Sequence, residues 1–157
     1  MRTSFKGLNM TTSVGMASNA PIQQSLLHDR FAITDLIYSL GAALDEHRFD
    51  DLCDLFIDDA TASTPGGAAQ GRDAVIAQAT RNHQHYARLQ HAMTNVLIDL
   101  NGDRAAVRAN LHATFAGETG LPELVLGAVY RFQAQRTEQG WRFARLEVAP
   151  IWRQTKE

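Results

Sequence analysis

The run His91-Ala92-Met93-Thr94-Asn95-Val96-Leu97-Ile98-Asp99-Leu100-Asn101-Gly102 decides how the chain is read. Successive side chains of a β-strand point to opposite faces, so His91, Met93, Asn95 and Leu97 are expected on one face and Ala92, Thr94, Val96 and Ile98 on the other. Asn101-Gly102 tolerates the positive φ of a type I′ turn, which predicts a hairpin and a returning strand from Arg104. On that strand Arg108, Asn110, His112 and Thr114 share a face opposite Val107, Ala109, Leu111 and Ala113. A break over residues 117–122, an alternating run over 124–135, a turn at Glu138-Gln139-Gly140 and a last strand over 141–148 complete a meander.

Upstream of His91 the period is helical. Leu26, Ile33, Ile37, Leu40 and Leu44 recur at spacings of seven, four, three and four, the stripe of an amphipathic helix ending near Asp45. Phe49, Leu52, Cys53 and Phe56 suggest a second short helix ending near Asp58 and Asp59, and Thr64-Pro65-Gly66-Gly67 breaks the pattern. Residues 72–89 predict a third helix, with Val75, Ile76, Ala79, His83 and Tyr86 on one face. Helices followed by strands argue for an α+β fold, with the helices packed on a strongly bent, mostly antiparallel sheet.

A length of 157 residues with 45% hydrophobic content suits one domain with a sizeable core. Residues 1–21, rich in Ser, Thr, Gly, Asn and Met, have neither apolar periodicity nor the apolar run of a signal peptide; a flexible N-terminal arm is expected there, and the domain over 22–157. Fifteen Lys plus Arg against 17 Asp plus Glu leave no basic excess for nucleic acid, and no apolar stretch is long enough to span a bilayer. The single cysteine, Cys53, excludes an intrachain disulfide and a cysteine-rich metal site, so a reducing cytoplasm is the expected compartment. No Gly-rich phosphate loop, nucleophile elbow or paired-cysteine motif is present, and no cofactor is expected.

Six local features in combination resemble the SnoaL-like proteins of the NTF2-like superfamily: Ile33-Thr34-Asp35-Leu36, Leu44-Asp45, Phe56-Ile57-Asp58-Asp59-Ala60, Gly71-Arg72-Asp73-Ala74-Val75, His91-Ala92-Met93-Thr94-Asn95 and Gly140-Trp141-Arg142-Phe143. The resemblance implies a cone-shaped sheet enclosing a pocket closed by the helices, usually in a dimer or trimer. It also implies roles for two residues. In the dehydratase and dehydrochlorinase members an aspartate near the end of helix one orients a proton-abstracting histidine at the start of a strand, and Asp45 and His91 occupy those positions. The dehydrochlorinase's lysine is matched by Leu40, and the dehydratase's tyrosine before its aspartate by Leu44, so neither substrate is implied.

A carboxylate that accepts from one imidazole nitrogen fixes the tautomer and leaves the other nitrogen as a base, the chemistry expected of Asp45 and His91. Asp45 as a solvated helix end and His91 as a strand residue tied to backbone is the bland alternative. Tyr38, seven residues before Asp45, is a candidate hydroxyl donor to a substrate oxygen, or a packing tyrosine. Asn95, on His91's expected face, and His112 are the other candidates for substrate binding, against roles in strand structure and solvation. His83 is expected at a helix–sheet interface, and His28, His47 and His85 at the surface. His83 and His85 would point about 200° apart on a helix, the wrong geometry for one metal, and no metal site is expected. Tyr130, Phe132, Trp141 and Phe143 are expected in the core, with Trp152 closing a pocket mouth or an oligomer contact.

The function expected is a cofactor-independent lyase or isomerase acting on a hydrophobic small molecule by His-Asp proton transfer, in a homo-oligomer. The alternative is a non-catalytic module that binds a small molecule or mediates assembly on the same fold.

Overall fold

The apolar stripe of the first helix becomes the buried face of α1 (Ala20–Asp45) in the computed structural model, which describes residues 19–156. Pro21 stands in its first turn, where a missing N–H removes no intrahelical bond. Ile33, Leu36, Ile37, Leu40 and Leu44 are buried, whereas Ile22 and Leu26 overhang the body and are exposed. Residues 1–18 of the expected arm lie outside the described residues, and Ala20 and Pro21 already belong to α1.

A 3-10 helix (Phe49–Asp54) follows, and the chain then departs from expectation. The segment expected to end a helix near Asp58 starts strand β1 (Phe56–Thr64), which turns at Pro65-Gly66 into β2 (Gly67–Gln70). β1 was hidden because its solvent side carries Asp58 and Asp59, residues with weak strand preference, while Phe56, Ala60 and Ala62 supply the buried side. The next helix, α2 (Arg72–His83), is also shorter than its periodicity suggests. Its continuation is taken by β3 (Arg88–Asn101), whose first residues pair with the end of β4 (Arg104–Ala116) through Arg88↔Ala116 and Leu89↔Phe115. The hairpin turn falls on Gly102-Asp103, and only Gly102 has positive φ (58°), the type II′ pattern in place of type I′.

β5 (Pro122–Thr137) and β6 (Gly140–Thr155) complete the sheet, in the order β2-β1-β6-β5-β4-β3. Every neighbouring pair is antiparallel except β1 and β6, which run parallel from Phe56↔Phe143 to Ser63↔Glu147. The architecture is α+β, a curved mixed sheet whose inner face carries the core and is covered by the helices.

One buried polar clasp fixes α1 to the far end of the sheet. Asp29 on α1 accepts two hydrogen bonds from the Arg136 guanidinium at 2.8 and 2.7 Å and one from the Trp141 indole N–H at 3.1 Å. Arg136 and Trp141 face each other across the β5–β6 hairpin, and Arg136 also donates to Asp103 in the β3–β4 turn at 2.9 Å. The Arg136 hydrogen bonds outweigh burial and hold the Asp29 carboxyl below the usual carboxylate range.

Candidate active site

Asp45 is the last residue of α1 and His91 lies near the start of β3, so the helix must come close to the strand for the two to meet. Gly41, one turn before Asp45, lies at the contact. A Cβ placed there would lie 3.4 Å from Met93 Cε, 3.6 Å from the His91 carbonyl oxygen and 3.7 Å from His91 Cβ, ordinary van der Waals distances that show how near the helix comes to the strand. Asp45 then makes two bonds to one residue. Its Oδ1 accepts from the His91 ring at Nδ1 (2.5 Å) and its Oδ2 accepts from the His91 backbone N–H (3.0 Å). With Nδ1–H donated, Nε2 is the ring's free acceptor. The imidazole is 1% exposed. Burial pushes the Asp45 carboxyl up, but the two hydrogen bonds from His91 and the charges of His91 and His83 prevail, and its pKa is lowered.

A second imidazole stands against the first. His83, at the end of α2, has its ring centroid 5.3 Å from that of His91, and Phe115 touches both rings at 5.6 Å. Its Nδ1–H donates to the Ala79 carbonyl at 2.6 Å, which again leaves Nε2 as an acceptor. Burial pulls the His83 pKa down to about 4, with the charge of His91 acting in the same direction, so His83 is neutral at ordinary pH. The segment after α2 is tied down by His47, whose Nε2–H donates to the Tyr86 carbonyl at 2.9 Å; His47 is half-buried rather than a surface residue.

Beside the two rings lies a cavity of about 280 Å³ between α1, α2 and the sheet. Most of its wall is apolar, including Leu40, Leu44, Phe56, Leu111, Phe115 and Leu146. Of the polar residues on its wall Gln78 and Tyr130 are buried, His83, His91, Tyr86, Asn82 and Thr64 are half-buried as whole residues, and Arg81 and His85 stand where the wall reaches the surface. Among the described residues no three His, Cys, Asp or Glu side chains converge as a metal site would require.

The other three expected site residues are not brought to this cavity. Tyr38 is 52% exposed: it shares Asp45's azimuth, but about 10 Å back along the helix axis that direction faces away from the sheet. Asn95 has φ 50° and sits in a bulge, with the β3–β4 register shifting between Thr94 and Leu97. The extra residue reverses the alternation, so the inward positions are His91 and Met93 before the bulge and Val96, Ile98 and Leu100 after it, and Asn95 is exposed. His112 belongs to the outer face of β4, exposed and 5.6 Å from the Trp152 ring; its polar companions mark solvent rather than a wet cavity. Conversely, His83, Gln78 and Tyr130 were not singled out as site residues. The burial of a Gln and a Tyr on apolar faces was the only available signal.

The family described as a SnoaL-like domain matches residues 25–147. A proposed scytalone dehydratase from Novosphingobium aromaticivorans DSM 12444 is similar in structure at 23% identity, with 86% of this chain and 92% of that chain covered and a TM-score of 0.78. An NTF2-like protein with a cystatin-like fold, also from Novosphingobium aromaticivorans, gives 24% identity, 88% and 92% coverage and a TM-score of 0.78. A type 2 hexachlorocyclohexane dehydrochlorinase gives 20% identity, 86% and 93% coverage and a TM-score of 0.77. At these identities the likeness is one of fold. No curated protein matches the chain.

Proposed function

The chain belongs to the SnoaL-like family with an NTF2-like fold, and on that premise we propose that it is a cofactor-independent lyase or isomerase that moves a proton on a hydrophobic small molecule. The observation that supports this reading is the double contact of one carboxylate with His91, 2.5 Å to the ring and 3.0 Å to its backbone N–H, beside a largely apolar cavity. A solvated helix end would have no need of either bond.

His91 Nε2 removes a proton from carbon next to a substrate carbonyl. The C–H electron pair becomes the C=C bond of an enolate, and charge develops on the carbonyl oxygen. In elimination a lone pair on the enolate oxygen re-forms the carbonyl, the enolate C=C pair shifts to make the new Cα=Cβ bond, the β-hydroxyl leaves with its C–O pair, and the imidazolium returns the proton to it, releasing water; in isomerisation the proton returns to a different carbon. Asp45 stabilises the imidazolium in the interval. The neutral state of His83 favours the step, because a charged neighbour 5.3 Å away would oppose formation of a second cation. The fold relatives named for dehydratase and dehydrochlorinase activities are compatible with such chemistry.

The test is turnover of ring ketones and cyclic β-hydroxy ketones. Asp45→Asn and His91→Gln should each lower kcat/KM by about two to four orders of magnitude while the variants stay folded by circular dichroism, and the double variant should be scarcely worse than either. Independent, multiplying losses would assign the two residues separate jobs. Saturable binding without product in the unaltered protein would leave a binding module in place of an enzyme.

A further inference from the structure

Proton removal beside a carbonyl puts negative charge on oxygen, and in an apolar cavity that charge needs a donor. Tyr130, on β5, lines the cavity and is 5% exposed. Its surroundings in the sheet are apolar: Ala109 lies opposite on β4, Val148 opposite on β6, and Ala128 and Phe132 flank it on its own face. The phenol makes no hydrogen bond to any described residue, yet Arg72 Nε is the sole enclosed side-chain atom among those residues left without a partner. The Tyr130 oxygen is therefore not sealed in protein. For a residue on the cavity wall, that means it opens on the cavity. Burial first, and the charge of Asp45 second, push its ionisation well above the usual phenol range, so it remains a neutral donor throughout the working pH range.

Size and polarity narrow the ligand. A cavity of ~150 Å³ accommodates benzene, so about 280 Å³ suits roughly two fused rings. The buried part of the wall carries no lysine or arginine to match an anion.

We propose that Tyr130 donates its hydroxyl to the ligand's oxygen, and that the cavity thereby selects neutral bicyclic ketones over the corresponding hydrocarbons. Its role in catalysis, holding the developing oxyanion while His91 holds the proton, rests on the functional reading above; ligand selection does not.

The experiment uses 1-tetralone labelled with ¹³C at its carbonyl, and the hydrocarbon tetralin, as probes of the full chain. The unaltered protein should bind the ketone more tightly than the hydrocarbon, with the labelled carbonyl band shifted to lower frequency than in cyclohexane. Tyr130→Phe should weaken ketone binding about five- to tenfold, the loss of one hydrogen bond, return the band most of the way to its cyclohexane position, and leave tetralin affinity unchanged. Asp45→Asn should keep the shifted band, which separates the donor from the dyad. Gln78→Leu should keep it too, because Gln78 belongs to α2 rather than to the sheet wall. The proposal is overturned if the ketone fails to bind or binds no better than tetralin, if the band is unshifted, or if the shift survives in Tyr130→Phe or disappears in Gln78→Leu.

Discussion

Two imidazoles whose centroids lie 5.3 Å apart resist carrying charge together, and burial keeps His83 neutral. The consequence reaches beyond the site. The His83 pKa is about 4 in the folded chain and 6.5 in the unfolded chain, so between those values the unfolded state binds a proton that the folded state excludes. Stability should fall as pH drops from 6.5 towards 4, by on the order of 3 kcal/mol, and the contribution should level off below 4. His83→Phe keeps a ring and removes the titration, so thermal melts over pH 4–7 should show a flatter profile; an unchanged slope would assign the acid sensitivity to another group. Asp29 and Asp45 act in a lower window, because their depressed pKa values make the stability they confer disappear only as pH falls below the ordinary carboxylate range. The contact between Asp45 and His91 was foreseeable through family likeness, since their separation in sequence says nothing of proximity. The place of His83 was not, because a helix read through to residue 89 puts it in mid-helix rather than at an end facing the cavity.

Among the elements, β3 shows where periodicity succeeds and where it is defeated. Alternation identified the strand, yet one residue in left-handed conformation reverses inside and outside for everything after it, and composition gives no warning of that. Asn95→Gly should change stability by less than about 1 kcal/mol, since glycine adopts φ 50° readily. Deleting Asn95 should be far worse: a continuous strand must turn either His91 and Met93 or Val96, Ile98 and Leu100 to solvent, and denaturant titration should show a loss of at least ~3 kcal/mol or no folded protein. β1 was illegible for a different reason, because its partner β6 lies near the other end of the chain and nothing local announces a parallel pairing. The clasp on α1 was equally silent in the sequence. Asp29→Ala should cost roughly 2–4 kcal/mol by leaving Arg136 and the Trp141 N–H without their acceptor, as measured by chemical denaturation.

For the whole molecule, the end of β6 is one part that a single copy leaves uncovered, beside the exposed apolar residues of α1. Its pairing with β1 stops at Glu147, and in the remainder Ile151 and Trp152 are 68% and 48% exposed. Trp152 lies over Gly127, where any side chain would collide with its indole, and reaches His112 on the outer face. A homo-oligomer is the expected state, and Trp152→Arg should shift sedimentation towards the monomer while leaving the dyad intact. A monomeric unaltered protein at micromolar concentration would end that expectation. The parallel pairing of β1 with β6 has a consequence in time. During synthesis α1, the β1–β2 hairpin and α2 emerge first, but β1 has no neighbour on its second side until the stretch from Phe143 to Glu147 has cleared the ribosome. Until then Phe56 and Leu52 lack Leu146 and Phe143 as core partners, so the growing chain carries an open, greasy half-shell over the whole stretch between β1 and β6.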